Sequence, residues 1–171
     1  MLGTPSALAR CLARHAYGMR RWVQVIGGKL ALFERPEDLA VAARLVGDNA
    51  RHMALFRERA AALGADPDAY RAPPAGEAIY DRLEELADPT EIAAFALGSL
   101  DHFAELLSVY REAADADTAA VIEQVAADVR EHRALLGPLA GGAGEGLRAE
   151  AGRMYEDRER VEVPGYARAA P

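Results

Sequence analysis

Four long stretches of the chain repeat their apolar residues at spacings of three and four, and each of these stripes carries one of the four histidines, His15, His52, His102 and His132. At 3.6 residues per turn such spacing makes one apolar face of an α-helix, and that face is stable only when buried against another element. The pattern predicts an all-α fold in which each long helix turns a histidine toward the interior. At 171 residues the chain has room for one compact domain and not for a second core.

The first helix is announced by Thr4-Pro5, a capping hydroxyl followed by proline at the first helical position, and runs to Gly27-Gly28 or a little beyond. Its stripe is Leu8, Leu12, His15, Met19, Trp22 and Ile26. Pro36, Glu37 and Asp38 open a second helix reaching Leu63-Gly64, because acidic side chains favour the positive end of the helix dipole. Its stripe reads Leu39, Ala42, Leu45 or Val46, Asn49, His52 or Met53, Phe56, Ala60 and Leu63. A third begins at Asp88-Pro89-Thr90-Glu91, which resembles a capping box, and carries Ile92, Phe95, Ser99, His102, Leu106 and Val109 to about Ala113. The fourth follows a polar turn at Asp115 to Thr118 and holds Val121, Val125, Asp128, His132 and Leu135 up to Leu136-Gly137-Pro138.

Between the second and third helices, residues 65–88 break the pattern with Asp66-Pro67-Asp68 and Ala72-Pro73-Pro74, leaving a short helical piece around Ile79 to Leu86. Short, long and short connections suit a bundle whose second and third helices run parallel. The expected organisation is a four-helix bundle over residues 1–138 with a long crossover. Residues 139–171 add a short helix from about Gly146 to Glu159 and a loosely held tail, with the charged run Glu156-Asp157-Arg158-Glu159-Arg160 on a solvated face.

A net charge of −7 disfavours nucleic acid and anionic membrane, both of which are bound mainly through concentrated lysine and arginine. Cys11 is the only cysteine and forms no internal disulfide, which fits a reducing cytoplasm. No run of about 18 apolar residues and no export signal are visible. The mix of 19 arginines with one lysine, Lys29, and much alanine reads as a GC-rich bacterial coding style. A homodimer is the ordinary expectation for such a bundle.

His15 and His52 lie about equally far from the first inter-helix turn, and His102 and His132 about equally far from the last, so all four rings are expected near mid-height. The second and fourth helices also share Asp-x-x-x-His: Asp48 with His52, and Asp128 with His132. Residues four apart share a helix face. Tyr17, Trp22, Phe103 and Tyr110 are candidates for a pocket beside the histidines, whereas Asp101 and Glu131 fall on interfacial or outer faces.

The segment Pro36 to Gly64, with Asp48-Asn49-Ala50-Arg51-His52 at its centre, resembles the second helix of the ferritin-like superfamily, whose di-iron members carry Asp-Glu-x-Arg-His there. Helix order and crossover extend that likeness over roughly residues 5–138. In those proteins a Glu from each of two helices and a Glu-x-x-His from each of the other two hold the irons. This chain departs from the set: Asn49 and Val129 stand three before His52 and His132, and His15 and His102 stand where the family offers glutamates. The stretch Glu131-His132-Arg133-Ala134 also faintly resembles the DinB-like four-helix proteins, whose other histidine positions do not emerge.

The resemblance puts His52 and His132 at ligand positions, and since imidazole suits first-row transition metals, the expectation is iron or another such metal held by His15, His52, His102 and His132, in a small-molecule oxidase or oxygenase rather than an iron store. His52 and His132 would be catalytic, with Asp48 and Asp128 orienting them. One alternative needs no metal: buried Asp-His pairs exchange protons with a small-molecule substrate in an isomerase, cyclase or dehydratase, or the bundle simply binds a ligand; another is a purely structural polar core, in which replacing the histidines by Leu or Gln stabilises the fold.

Overall fold

A computed structural model of the chain describes residues 5–162. They are all-α: α1 (Pro5–Lys29), α2 (Pro36–Ala62), α3 (Pro74–Glu85), α4 (Pro89–Ala113), α5 (Ala116–Ala140) and α6 (Glu145–Glu162), with single 3-10 turns at Leu30–Leu32 and Gly142–Gly144. Proline opens α2, α3 and α4, where its missing N–H leaves nothing unsatisfied. Asp88 caps α4 by accepting from the Thr90 and Glu91 N–H groups at 2.7 and 3.3 Å, and Asp115 caps α5 through the Thr118 N–H at 2.8 Å. The end of α2 is a Schellman turn, in which Gly64 takes a φ of 88° and lets Ala65 N–H reach the Ala60 carbonyl.

The helices pack as two hairpins, α1 along α2 and α4 along α5, joined through α2 against α5. On the other side the backbones of α1 and α4 stand further apart and meet through side chains; α3, lying against α1, and α6, lying against α4, pack on each other across that side. Leu12, Phe56, Leu107, Ile122, Val125 and Val129 fill one part of the core, and Ile79, Leu83, Phe95 and Ala151 fill another. The helix α4 is apolar enough by length and composition to cross a membrane, although it has no unbroken apolar run of that length; most of it is covered by protein.

The close approach of α6 to α4 has a simple cause in side-chain size. A Cβ on Gly98 would stand 2.1 Å from the Arg148 carbonyl oxygen, and one on Gly144 would stand 2.4 Å from the Ala94 Cβ. With Ala93, Ala94 and Ala96 on α4 and Ala151 on α6, all buried, the two backbones come together.

Several expectations shift. The helix α5 continues through Pro138 to Ala140. Its buried line is Ile122, Val125, Val129, His132 and Leu136, rotated from the Val121–Asp128–Leu135 line because both α4 and α2 contact it. Leu39 and Val109, placed inside by periodicity, are 39% and 50% exposed near the ends of their helices, where the partner no longer covers them. The charged run is the largest correction: Arg158 is 4% exposed and Glu159 is fully buried, because α6 turns them inward on the line that runs through Ala151 and Tyr155. Thr4 and residues 163–171, which include most of the expected tail, lie outside the described residues.

Candidate functional site

The four histidines divide into two pairs with different surroundings. On the seam between α2 and α5, His52 Nε2 donates to Asp128 Oδ2 at 2.8 Å and His132 Nε2 donates to Asp48 Oδ2 at 2.8 Å. Each Asp serves the histidine of the opposite helix and not its own i+4 neighbour, so the shared Asp-x-x-x-His text builds two crossed bridges. The imidazole rings stand 6.2 Å apart, both buried, while the carboxylates face outward and share Arg51, which contacts Asp48 and lies 3.1 Å from Asp128. Burial lowers the His52 pKa, opposed by Asp128. Partial burial works against ionising Asp48 and Asp128, but the bonds from the histidines and Arg51 prevail and hold both carboxyls below their usual range.

The second pair belongs to the interior. His15 on α1 shares a 2.8 Å hydrogen bond with the Tyr110 hydroxyl on α4, and Arg14 Nη2 donates to that hydroxyl at 2.8 Å while standing 3.4 Å from His15 Nε2. A guanidinium has no acceptor, so Nε2 between these two donors carries its lone pair and the ring proton resides on Nδ1. Burial and the guanidiniums of Arg14 and Arg158 hold the His15 pKa well below that of a free imidazole, which makes it neutral at pH 7.

Behind this pair lies a buried ionic cluster. Glu159 accepts from Arg14 Nη1 at 2.7 Å and from Arg158 Nη2 at 2.7 Å, and its Oε1 is 3.6 Å from His102 Nε2. Burial alone would raise the Glu159 pKa, but His102 and the two guanidiniums drive it far below the carboxylate range. Glu162 adds a second carboxylate 3.5 Å from both Arg14 and Arg158, and it accepts a hydrogen bond from Tyr70 in the loop after α2. His102 stacks on Tyr155, and the Arg158 guanidinium lies 4.7 Å over the same ring.

These groups border a cavity of about 60 Å³ lined by residues of α1, α2, α3, α4 and α6. Met19, Trp22, Leu45, Leu100 and Phe103 supply apolar wall; His15, His102, Arg158, Asn49 and Ser99 supply polar edge. Two buried polar atoms on this wall make no hydrogen bond, His102 Nε2 and Arg158 Nε. Each stands just beyond hydrogen-bond distance of a buried carboxylate, His102 Nε2 3.6 Å from Glu159 Oε1 and Arg158 Nε 3.5 Å from Glu162 Oε2.

Of the expected site residues, the structure brings His15 and His102 to the cavity and leaves His52, His132, Asp48 and Asp128 on the seam. The single four-histidine centre expected from register is not what the packing makes, because α6 carries its own tyrosine and carboxylate up to His102. Among the described residues, no three His, Cys, Asp or Glu side chains stand together as a metal would need. The di-iron donor set is not met either, since Asn49 donates to the Leu45 carbonyl at 2.8 Å and Val129 is packed in the apolar core. Trp22 and Phe103 line the cavity and Tyr110 holds His15 as the pocket expectation had it, whereas Tyr17 faces Glu77 and Tyr70 elsewhere. Asp101 is held by Arg133 and Arg148, and Glu131 pairs with Arg44 on the surface. Arg14, Arg158, Glu159 and Tyr155 were not anticipated. The last three stand seven, eight and four residues after Ala151, a helical stripe the mixed charges concealed. No protein-family model, curated protein or solved structure matches the chain.

Proposed function

We propose that this protein binds a small organic molecule in the interior cavity and exchanges a proton with it through His15 and His102, without a metal. One observation carries the reading: two buried histidines lie on the polar edge of a cavity whose remaining wall is largely apolar, each next to a fixed hydrogen-bonding or charged group. A neutral imidazole in a dry site is the usual general acid or base near pH 7. Tyr110 fixes the His15 tautomer by bonding Nε2, and Arg14 stabilises charge that develops on the Tyr110 oxygen. Glu159 stands behind His102, 3.6 Å from its Nε2. The apolar wall excludes water and orients the ligand.

Within this proposal α1, α2, α4 and α5 are the four helices of a ferritin-like bundle, with α3 inside the crossover and α6 completing the cavity. A metal-dependent oxidase or oxygenase would require donors that converge, and the histidines are committed in two directions.

The test is proton exchange into solvent deuterium for a panel of small carbonyl compounds with acidic C–H bonds. His15→Phe is expected to slow exchange by about 10²–10⁴-fold, the ordinary contribution of general acid–base catalysis, with the helical circular dichroism unchanged. Exchange that survives the substitution would contradict the role of His15. One or two equivalents of metal in tag-free protein, lost in both His52→Ala and His132→Ala, would return the seam histidines to the centre of the function.

A further inference from the structure

We propose that the outer groove formed by α1, α2 and the loop over residues 63–73 binds a phosphate dianion, free or as the monoester of a small organic molecule, through Arg20, Arg57 and Arg71. This groove shares no lining residue with the interior cavity, so phosphate binding there stands apart from the proton exchange proposed above.

Tyr17 and Arg20 of α1, Arg57 of α2, and Asp68, Tyr70 and Arg71 of the loop surround a space of about 330 Å³, which is within the range of small-molecule sites. The three guanidiniums converge on Asp68. Arg57 grips its carboxylate with both Nη atoms, Nη2 lying 2.8 Å from Oδ2, and Arg71 Nη1 donates to the Asp68 backbone carbonyl at 2.7 Å and to the Tyr70 carbonyl at 2.8 Å. Arg20 lies 5.1 Å over the Tyr17 ring, which in turn meets the Tyr70 ring edge-on at 5.3 Å. The Asp68 carboxyl is held below its usual range by the Arg57 hydrogen bonds first and then by the charges of Arg57, Arg20 and Arg71, so all three act on one point. Asp68 therefore marks where an anion sits in this groove.

Among the described residues Arg57 pairs with that carboxylate, and Arg20 and Arg71 pair with none. Three guanidiniums against one carboxylate make a local positive surplus in a chain whose net charge is −7. Asp66 takes part of the surplus: it accepts the Asp68 N–H at 2.9 Å and acts on Arg57, although it does not line the groove. A phosphate dianion, with three terminal oxygens, uses three guanidinium forks at once, whereas a carboxylate with two oxygens is satisfied by one. The Asp68 side chain is 65% exposed, so water solvates it when it leaves the fork and releases Arg57 to the phosphate. Tyr17 and Tyr70 are tied at their hydroxyls to Glu77 and Glu162, and their fixed rings, with Met53 and Pro67, offer surface to the organic part of an ester.

The experiment is calorimetry on the full chain at pH 8 with inorganic phosphate, phenyl phosphate, phenyl sulfate and phenol. Both phosphates are expected to bind with a Kd below about 1 mM, phenyl sulfate at least about tenfold more weakly than phenyl phosphate, and phenol not at all. Phenyl phosphate binding more tightly than inorganic phosphate identifies the monoester as the natural form, and equal affinities identify the free ion. Arg20→Gln and Arg71→Gln should each weaken phosphate by at least about tenfold with unchanged circular dichroism, the loss of one charge-assisted contact. Asp68→Asn removes the competing carboxylate and should tighten phosphate by a similar factor, where a merely structural ion pair would give no gain. Absence of phosphate binding, sulfate or phenol binding as well as phosphate, indifference to both arginine substitutions, or weaker binding in Asp68→Asn would overturn the phosphate site and leave the cavity reading untouched.

Discussion

The seam between α2 and α5 and the cluster behind α6 each pair histidine with carboxylate, and they differ in which partner is buried. On the seam the imidazoles are inside and the carboxylates partly exposed, with side-chain exposures of 16% for Asp48 and 20% for Asp128. In the cluster the carboxylate itself is the most buried member, fully enclosed at Glu159, and two guanidiniums are buried with it. Water screens the first arrangement and solvates whatever a mutation leaves behind. It reaches the second hardly at all, so every group there depends on its protein partners.

The largest expected effect follows from that contrast. Glu159→Gln leaves Arg14 and Arg158 buried without their common anion, and urea unfolding should show a loss of about 3–5 kcal/mol, the usual cost of breaking a buried ion pair from one side. A loss under about 1 kcal/mol would mean that solvent reaches the cluster and that the two regions do not differ.

Gly98→Ala comes next. Its methyl would collide with the Arg148 backbone, so α6 must withdraw from α4 at a cost of about 1–3 kcal/mol, the ordinary range for overpacking. Hydrogen exchange should rise along α6 and leave the α2–α5 seam protected. Uniform loosening of both would break the distinction.

The pH dependence sharpens the comparison further. His15 and His52 both have folded pKa values below the unfolded imidazole value of about 6.5, so the unfolded state binds more protons as pH falls through that value, and stability declines from there downward. Asp48, Asp128 and Glu159 have lowered folded values, so their contribution is present above the unfolded carboxylate range of about 4 and disappears as pH falls through their folded values. Two acid steps are expected in the unfolding free energy. His15→Phe should flatten the upper one, and a profile flat between pH 7 and 5 would contradict the neutral burial of His15.

Asp128→Asn is expected to do least, about 1 kcal/mol or less, because the amide oxygen still accepts from His52 and the site is partly in water. A double-mutant cycle with His52→Gln should then give a coupling within the same range.

Much of this was legible in the residues. Proline and aspartate caps marked the helix starts, and the stripes of α1 and of α4 up to Leu106 were read much as they are packed, with His15 inside one and His102 inside the other. All four histidines are buried, as their stripes implied, but position along a helix does not say which way a ring turns, and that depends on crossings the periodicity does not contain. The crossed Asp–His bridges needed the relative rotation of α2 and α5. The cluster was hidden for another reason: Arg158 and Glu159 carry charges that usually face water, and only the glycines and alanines that draw α6 onto α4 show that this helix belongs to the core.

The division of the histidines is tested most directly by nitrogen-15 NMR of the imidazole rings across pH in the intact protein. The account predicts that His15 stays neutral as the pH passes below about 6.5, with its proton on Nδ1, while His52 and His132 carry theirs on Nε2. A His15 that titrates as a free imidazole does, or four histidine signals that move together when a single divalent metal is added, would contradict it.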